Sequence, residues 1–201
     1  MKIDMHVHSI FSGDSTLEPR AMINRAKEIG LNAICITDHH SFLASQMLDS
    51  IAQKENFKIF RGAEYHTSHG HLLVFGIYDD SFNSGRYLPI QDVIDKVQSD
   101  GGIAIPSHPY HKGYSHYLGD YVFKLKKIYA LEIINAKIID EENEMAQKAS
   151  KMLKLPGIGS SDAHSLEELG KAYTVFDDYI GSMKDLIEAL KNGRFRAEIS
   201  K

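Results

Sequence analysis

Histidine and carboxylate side chains recur along this chain where short apolar runs end. The sequence has 201 residues and 11 histidines, and imidazole is the commonest metal ligand in proteins. Nine candidate ligands, nearly all directly after a predicted strand, are His6, His8, Asp14, His39, Glu64, His71, His108, Asp162 and His164. One such position is weak evidence, but a set that recurs after successive strands predicts a common metal centre.

A His-x-His pair lies on the first predicted strand. Alternate residues of a strand share a face, so Asp4, His6 and His8 project together. Asp162 and His164 repeat the spacing near the far end of the chain. An isolated pair is more often two exposed polar positions on an edge strand, because motif matches are easily misleading. Two matched pairs favour a metal site.

The elements that would position these ligands alternate along the chain. Strands are predicted at 3–7, 33–37, 58–63, 71–75, 103–105, 129–134, 157–159, 173–176 and 195–199, and helices at 19–29, 41–56, 90–97, 140–153, 166–169 and 182–190. This order predicts parallel strands joined by crossover helices. Seven or eight such units indicate a barrel, seven-stranded or distorted at this length. An open doubly wound sheet is the alternative, without its glycine fingerprint here.

Composition sets further expectations. With 43% hydrophobic and 25% charged residues, we expect one domain over residues 1–201. No apolar run of 18 residues and no secretory signal is found, which predicts a cytoplasmic protein without a membrane partner. A single cysteine, Cys35, suits a reducing compartment. The formal charge of −4 predicts no duplex nucleic acid partner.

Taken together, the motifs resemble the PHP superfamily, the polymerase and histidinol phosphatase family of metal-dependent phosphoesterases. The similarity extends over essentially the whole chain. In order, it is carried by His6-x-His8, Thr37-Asp38-His39, Glu64, Ser107-His108-Pro109 and Gly159-Ser160-Ser161-Asp162-Ala163-His164. The resemblance implies an α/β fold, a distorted (β/α)7 TIM-like barrel of the PHP type. It also implies a trinuclear metal centre at the carboxyl ends of the strands.

The resemblance implies that two or three divalent ions, zinc, manganese or iron, share the nine ligands. A first ion would be held by His6, His8, Glu64 and Asp162. A second ion, bridged by Glu64, would be held by His71 and His108. A third would be held by Asp14, His39 and His164.

Several neighbouring residues leave alternatives open. His66 and His69 compete with His71, but only His71 directly precedes the apolar run of 72–75. Asp4 and Asp38 are expected to orient imidazoles from behind the ligands. For Asp38, direct ligation is an alternative.

The implied chemistry is phosphoester hydrolysis with a metal-bridging hydroxide as the nucleophile. We expect a phosphomonoesterase acting on a small phosphorylated metabolite or nucleotide. The alternatives are a nuclease or phosphodiesterase for short single-stranded nucleic acid, a phosphotyrosine-protein phosphatase, and an amidohydrolase-like hydrolase. The expected substrate-binding residues are His111, Lys112, Glu132 and Asn135, and the loop at 79–87 is a candidate border of the site.

Overall fold

The computed structural model describes residues 1–42, 46–78, 87–113 and 116–200. The loop expected to border the site lies outside these residues, except for its last residue, Tyr87. None of the described helices is both long and apolar enough to cross a bilayer.

Strands and helices alternate through most of the described chain. The strands are β1 (Lys2–Val7), β2 (Ala33–Ile36), β3 (Lys58–His66), β4 (His71–Phe75), β5 (Ile103–Ser107), β6 (Leu131–Asn135), β7 (Gly157–Ser160), β8 (Ala172–Phe176) and β9 (Phe195–Ile199). The helices are α1 (Pro19–Glu28), α2 (Gln46–Lys54), α3 (Ile90–Ser99), α4 (Asp140–Leu153) and α5 (Met183–Asn192). Short 3-10 helices are formed by Ile10–Ser12 and Gly119–Lys124.

The strands form one curled wall around a common interior. Seven of them are hydrogen-bonded in the order β5-β4-β3-β2-β1-β8-β9, and β6 and β7 form a separate parallel pair. This pair fills the gap between the two edges of the large sheet, because β6 packs on β5 while β7 packs on β9. The result is a mixed α/β structure whose sheet nearly closes on itself.

Not every strand is parallel, and here the prediction from strand and helix alternation is wrong. β4 pairs antiparallel with both β3 and β5, and β8 pairs antiparallel with both β1 and β9. Only four residues separate β3 from β4. A parallel connection needs a crossover of a dozen or more residues, so this short connection requires an antiparallel hairpin.

The helix expected near Leu166–Leu169 is instead a succession of turns. The Glu168 carboxylate accepts a hydrogen bond from the backbone N–H of His164 at 2.7 Å, which ties the segment back to its own start. Gly170 then reverses the chain with a φ of 74°, a conformation that glycine adopts at little cost.

Apolar faces of the helices cover the outside of the wall. In α3, for example, Ile90, Val93, Ile94 and Val97 are buried at helical spacing. Cys35 is fully buried in a second cluster that also contains Met5 and Phe75. These packed layers hold the strand ends that carry the polar residues.

Candidate metal centre

All nine candidate ligands meet at one rim of the curled sheet. His6 and Glu64 lie within β1 and β3, and His39 follows β2. His71 begins β4, and the antiparallel direction of that strand places it opposite His66 of β3 and Ser107 of β5. A ligand at the start of an antiparallel strand therefore reaches the same rim as ligands at or after the ends of the other strands.

Two candidate ligands adopt a backbone conformation that L-residues rarely use. The φ angle is 25° at His108 and 54° at Asp162, and such conformations cost on the order of 1–3 kcal/mol each. His108 is held there by its backbone N–H, which donates to Glu132 Oε2 at 2.5 Å. Strain of this kind concentrates at functional sites, where the surrounding structure fixes it.

The Glu64 carboxylate lies at the middle of the centre and is only 2% exposed. Its Oε1 lies 3.1 Å from His71 Nδ1 and 2.9 Å from His108 Nε2. Its Oε2 lies 3.5 Å from the Nε2 atoms of both His6 and His8. The two oxygens of one carboxylate thus face two different pairs of imidazoles, as a bridging ligand requires.

Distances between the donor atoms fit a divalent ion. His6 Nε2 and His8 Nε2 are 3.0 Å apart, and Asp162 Oδ1 lies 3.5 Å and 3.3 Å from them. Ligand atoms that each bind one ion at about 2.0–2.2 Å lie roughly 3.0–3.5 Å from one another. Without an ion, two ring nitrogens at this separation can attract each other only if one is protonated.

The third group of ligands is the most open. Asp14 Oδ2 lies 3.0 Å from His39 Nε2 and 3.2 Å from His164 Nε2. The Asp14 side chain is 47% exposed. Ser12 Oγ donates to its other oxygen at 2.7 Å. His8 offers a ligand atom to the same group, so this group adjoins the first.

Charge compensation at the centre shifts the pKa values of its residues in opposite directions. Burial would lower the pKa of His6, but Asp162, Glu64 and Glu132 outweigh it and raise that pKa well above its ordinary value. Burial lowers the pKa of His8 to about 4. Burial would raise the pKa of Glu64, yet the nearby imidazoles of His6 and His71 hold it well below its ordinary range. Adjacent groups with opposed shifts are typical of functional sites.

Glu132 and Asn135 are buried behind the ligands, and the contacts that they make are with ligand side chains and backbone. Their expected role in substrate binding stays a prediction. Glu132 Oε1 lies 3.0 Å from His6 Nδ1. Asn135 Nδ2 donates to Glu132 Oε2 and to Asp162 Oδ2, each at 3.1 Å. Because a carboxylate only accepts, His6 Nδ1 carries a proton and Nε2 faces the centre. Both residues therefore position ligands.

Asp4 and Asp38 do not orient imidazoles as expected. The Asp4 carboxylate accepts from the backbone N–H of Ser161 at 2.9 Å and of Gly170 at 3.0 Å. Asp38 accepts from the backbone and hydroxyl of Ser9 at 2.6 and 2.7 Å. Asp4 shares a face with His6 but lies one strand repeat deeper, where its partners are backbone N–H groups and the hydroxyl of Ser161. Each carboxylate fixes a loop that follows a ligand-bearing strand.

His111 and Lys112 lie beside α4 at the edge of the centre. His111 Nδ1 lies 2.8 Å from Glu142 Oε2, and the backbone N–H of Lys112 donates to the other oxygen of Glu142 at 3.0 Å. The His111 ring lies 5.9 Å from that of His108, centroid to centroid. Their expected role in substrate binding stays a prediction.

The sequence interpretation missed Lys137. Its Nζ lies 2.8 Å from His164 Nδ1, which places an ammonium group beside the third group of ligands. Lys137 lies two positions after Asn135, the last residue of β6, and this closeness to the strand end was the available signal.

His66 also lies close to the centre. With His39 and Glu64 it forms a further group whose ligand atoms lie within 4.8 Å of one another. His69 stacks on Tyr121 instead, with ring centroids 4.3 Å apart. The competition between His66 and His71 therefore remains open, while His69 contacts a different part of the chain.

Comparisons with known proteins find similarity to PHP proteins in part of the sequence and in the fold. Residues 140–195 match a family model described as PHP-associated. An uncharacterized protein of Methanocaldococcus jannaschii is 29% identical over 146 residues, which cover 68% of this chain and 82% of the relative. A probable histidinol-phosphatase of Thermotoga maritima is 34% identical over 55 residues, which cover 27% of this chain and 24% of the relative.

Solved structures of other proteins share the fold, among them the following two. One is a two-domain protein of Bacteroides vulgatus containing a predicted PHP-like metal-dependent phosphoesterase, with a TM-score of 0.76 and 20% identity. The match covers 99% of this chain and 64% of that structure, so this chain spans less than two thirds of its length. The other is Endonuclease Q in complex with a 27-mer duplex substrate, with a TM-score of 0.70 and 18% identity over 97% of this chain and 57% of that chain.

The comparisons confirm two expectations and overturn one. The resemblance to the PHP superfamily and the TIM-like barrel fold are confirmed. Two of the matched proteins are named as a predicted metal-dependent phosphoesterase and a probable histidinol-phosphatase. The expected absence of a duplex nucleic acid partner is contradicted, because a structure of this fold holds a DNA duplex at its active site. Net charge was a poor criterion, since bound cations would add positive charge that a residue count omits.

Proposed function

We propose that this chain, which has the fold of the PHP phosphoesterases, is a metal-dependent phosphomonoesterase. The observation that carries the proposal is the position of Glu64, whose two carboxylate oxygens face separate sets of imidazoles at 2.9–3.5 Å. We propose two or three divalent ions. The ligand sets are His6, His8, Glu64 and Asp162 for the first, Glu64, His71 and His108 for the second, and Asp14, His39 and His164 for the third.

Zinc, manganese or iron suits this mixture of imidazole and carboxylate donors. When bound, such ions supply a water of lowered pKa as nucleophile and neutralise the phosphoryl oxygens. Other side chains of the protein hold the metal ligands in position. Glu132 fixes the His6 ring through Nδ1, and Asn135 fixes the Asp162 carboxylate. Residues behind metal ligands commonly change metal affinity by 10- to 100-fold.

A terminal phosphate fits the polar groups around the centre. Lys137 presents an ammonium beside His164, and His111 is held by Glu142 on the side of His108. These groups are donors for the oxygens of a phosphate dianion. The probable histidinol-phosphatase among the relatives supports a small phosphorylated metabolite as substrate.

Cleavage of nucleic acid is the second candidate. The likeness to Endonuclease Q, solved with a duplex substrate, favours it. The same ligand arrangement serves monoesters and diesters, since both reactions need charge neutralised on a phosphoryl group. The choice between them depends on the surroundings of the centre.

A panel of substrates tests the proposal. Protein loaded with manganese, zinc or iron should release phosphate from phosphomonoesters faster than it cleaves diesters or nucleic acid. Glu64→Gln should lower the rate by at least about 100-fold, because a bridging oxygen loses its charge. Glu188→Gln, on the exposed surface of α5, is the matched control and should keep full activity. Full activity in Glu64→Gln, or no turnover of any ester, would overturn the proposal.

A further inference from the structure

A row of rings extends outward from the metal centre, and we call it the ring wall. It consists of His40, His66, Tyr87 and His116. The His66 ring stacks on the ring of His71 with centroids 3.8 Å apart and planes 10° from parallel. The Tyr87 ring follows at 6.3 Å from His66, and the His116 ring follows at 5.4 Å from Tyr87. The wall is therefore continuous from a candidate ligand to the surface.

Four separate segments build this wall. His40 follows β2, His66 ends β3, Tyr87 precedes α3 and His116 follows β5. The His40 ring meets Tyr65 edge-on at 5.6 Å and His66 at 4.6 Å. The four rings come from separate segments, so they lie together because of the fold and not because of their positions in the sequence.

Exposure increases along the wall. His40 and His66 are half-buried, whereas Tyr87 is 55% exposed and His116 is exposed. The inner end is thus held by packing, and the outer end presents ring surface to solvent. Such a surface can stack on a planar group, as aromatic side chains do on bases.

Two tyrosines near His116 in the sequence, Tyr110 and Tyr117, do not form this surface. Tyr110 is only 3% exposed, and its hydroxyl donates to Asp120 at 3.0 Å. Tyr117 packs over Gly119, where a Cβ atom would lie 2.7 Å from the tyrosine ring. Tyr114 lies outside the described residues.

We propose that the ring wall binds the planar organic part of the substrate, and that this part is a nucleobase carried on a sugar. The inference rests on the proposed function, because it assumes that the phosphate lies at the metal centre. With the phosphate at the metal centre, a substrate ring esterified directly to it would contact only His66, which stacks on His71. Tyr87 lies farther from the centre, beyond His66. A spacer such as ribose is therefore needed to bring a base to Tyr87.

Binding of stable analogues tests the inference separately from catalysis. The ligands are phosphonates in which a methylene group replaces the ester oxygen of AMP or of ribose 5-phosphate, so the two differ only in the base. Their Kd values are measured by calorimetry on the manganese-loaded full chain. A stacked base should strengthen binding by about 5- to 150-fold. The measured quantity is the ratio of the two Kd values, ribose 5-phosphonate over AMP phosphonate. Tyr87→Ala should bring this ratio close to one, and Tyr87→Phe should leave it unchanged.

Controls separate the base subsite from general damage. Tyr179→Ala removes a tyrosine that is 77% exposed and lies outside the ring wall. It should leave the ratio of the two Kd values unchanged. His116→Ala, the second variant, should lower the ratio even if Tyr87→Ala fails to fold. Phenylphosphonate, whose ring is attached directly, should bind Tyr87→Ala as it binds the unaltered chain.

Two results would overturn the inference. One is equal affinity for the two phosphonates in the unaltered chain. The other is an unchanged ratio in both Tyr87→Ala and His116→Ala. Neither depends on turnover, so a failure of the proposed hydrolysis in the substrate panel is distinguishable from a failure of the base subsite.

Discussion

At the scale of the residue, the ligands depend on acids and amides behind them. Glu132 accepts hydrogen bonds from His6, from the backbone of His108 and from Asn135. Burial would raise the pKa of Glu132, but the imidazoles of His6 and His108 lower it, so it is ionised at neutral pH. One buried carboxylate thus sets the orientation of two candidate ligands.

Replacing this carboxylate tests that dependence. Glu132→Gln places an amide N–H where an acceptor is needed, which leaves a buried donor unsatisfied at a cost of about 1–3 kcal/mol. Metal affinity should also fall by about 10- to 100-fold. Metal titration and chemical unfolding measure both effects. Glu198→Gln, in β9, is the control, and unchanged metal affinity in Glu132→Gln would contradict the positioning role.

The ligand candidates were predictable because imidazole and carboxylate residues recur at strand ends, as with His6, His39 and Asp162. The supporting roles were not. Asp4 and Glu132 are both acids on strands next to ligands, and the sequence does not show which one reaches an imidazole. Their partners lie more than a hundred residues away, at Ser161 and His6 respectively. Such pairings depend on how the barrel closes.

At the scale of the element, strand direction decides which ligands meet. β4 runs opposite to β3 and β5, so its first residue, His71, arrives at the rim. Apolar runs and glycine turns predicted the strands to within a few residues. They did not predict whether neighbouring strands run parallel or antiparallel, because an apolar run is the same in both cases. Only the short turn after β3 indicated an antiparallel hairpin.

Helix α5 gives a test of stability apart from the site. Ser182 caps it by accepting from the backbone of Asp185 at 3.2 Å, and the Asp185 carboxylate accepts from the backbone of Ser182 at 2.8 Å. Ser182→Ala should lower the free energy of unfolding by about 0.5–2 kcal/mol. Metal affinity should stay unchanged, since the helix packs through Leu186 and Leu190 on the outer layer. A large loss of metal affinity in a folded variant would contradict this separation.

At the scale of the whole molecule, protons and metal ions compete for the same centre. The raised pKa of His6 means that the metal-free chain holds a proton there at neutral pH, and an ion must displace it. The proton stabilises the metal-free chain below the unfolded pKa of about 6.5. This contribution to the stability of the metal-free chain is lost as the pH rises through the raised pKa of His6 in the folded chain.

The difference in Tm between metal-loaded and metal-free protein should therefore widen as pH rises from about 6 toward the folded pKa of His6. Thermal unfolding with manganese and with a chelator, at several pH values, measures it. Metal binding should also release about one proton, seen as a dependence of calorimetric heat on the buffer. A difference in Tm that narrows with rising pH would contradict proton displacement.

Fold and partners were not equally predictable at this scale. The TIM-like barrel followed from the order of motifs, because ligands after successive strands need a common rim. The partner prediction failed because the charge of −4 counts the residues of the chain and not any bound ions. In the proposed function, local charge from Lys137 and from bound cations is what attracts a phosphate group.

Anomalous diffraction from crystals grown with manganese tests the central claim most directly. We predict one peak among His6, His8 and Asp162 on the Oε2 side of Glu64, and a second beside His71 and His108 on the Oε1 side. Manganese bound elsewhere, with neither position occupied at saturating metal, would contradict the account.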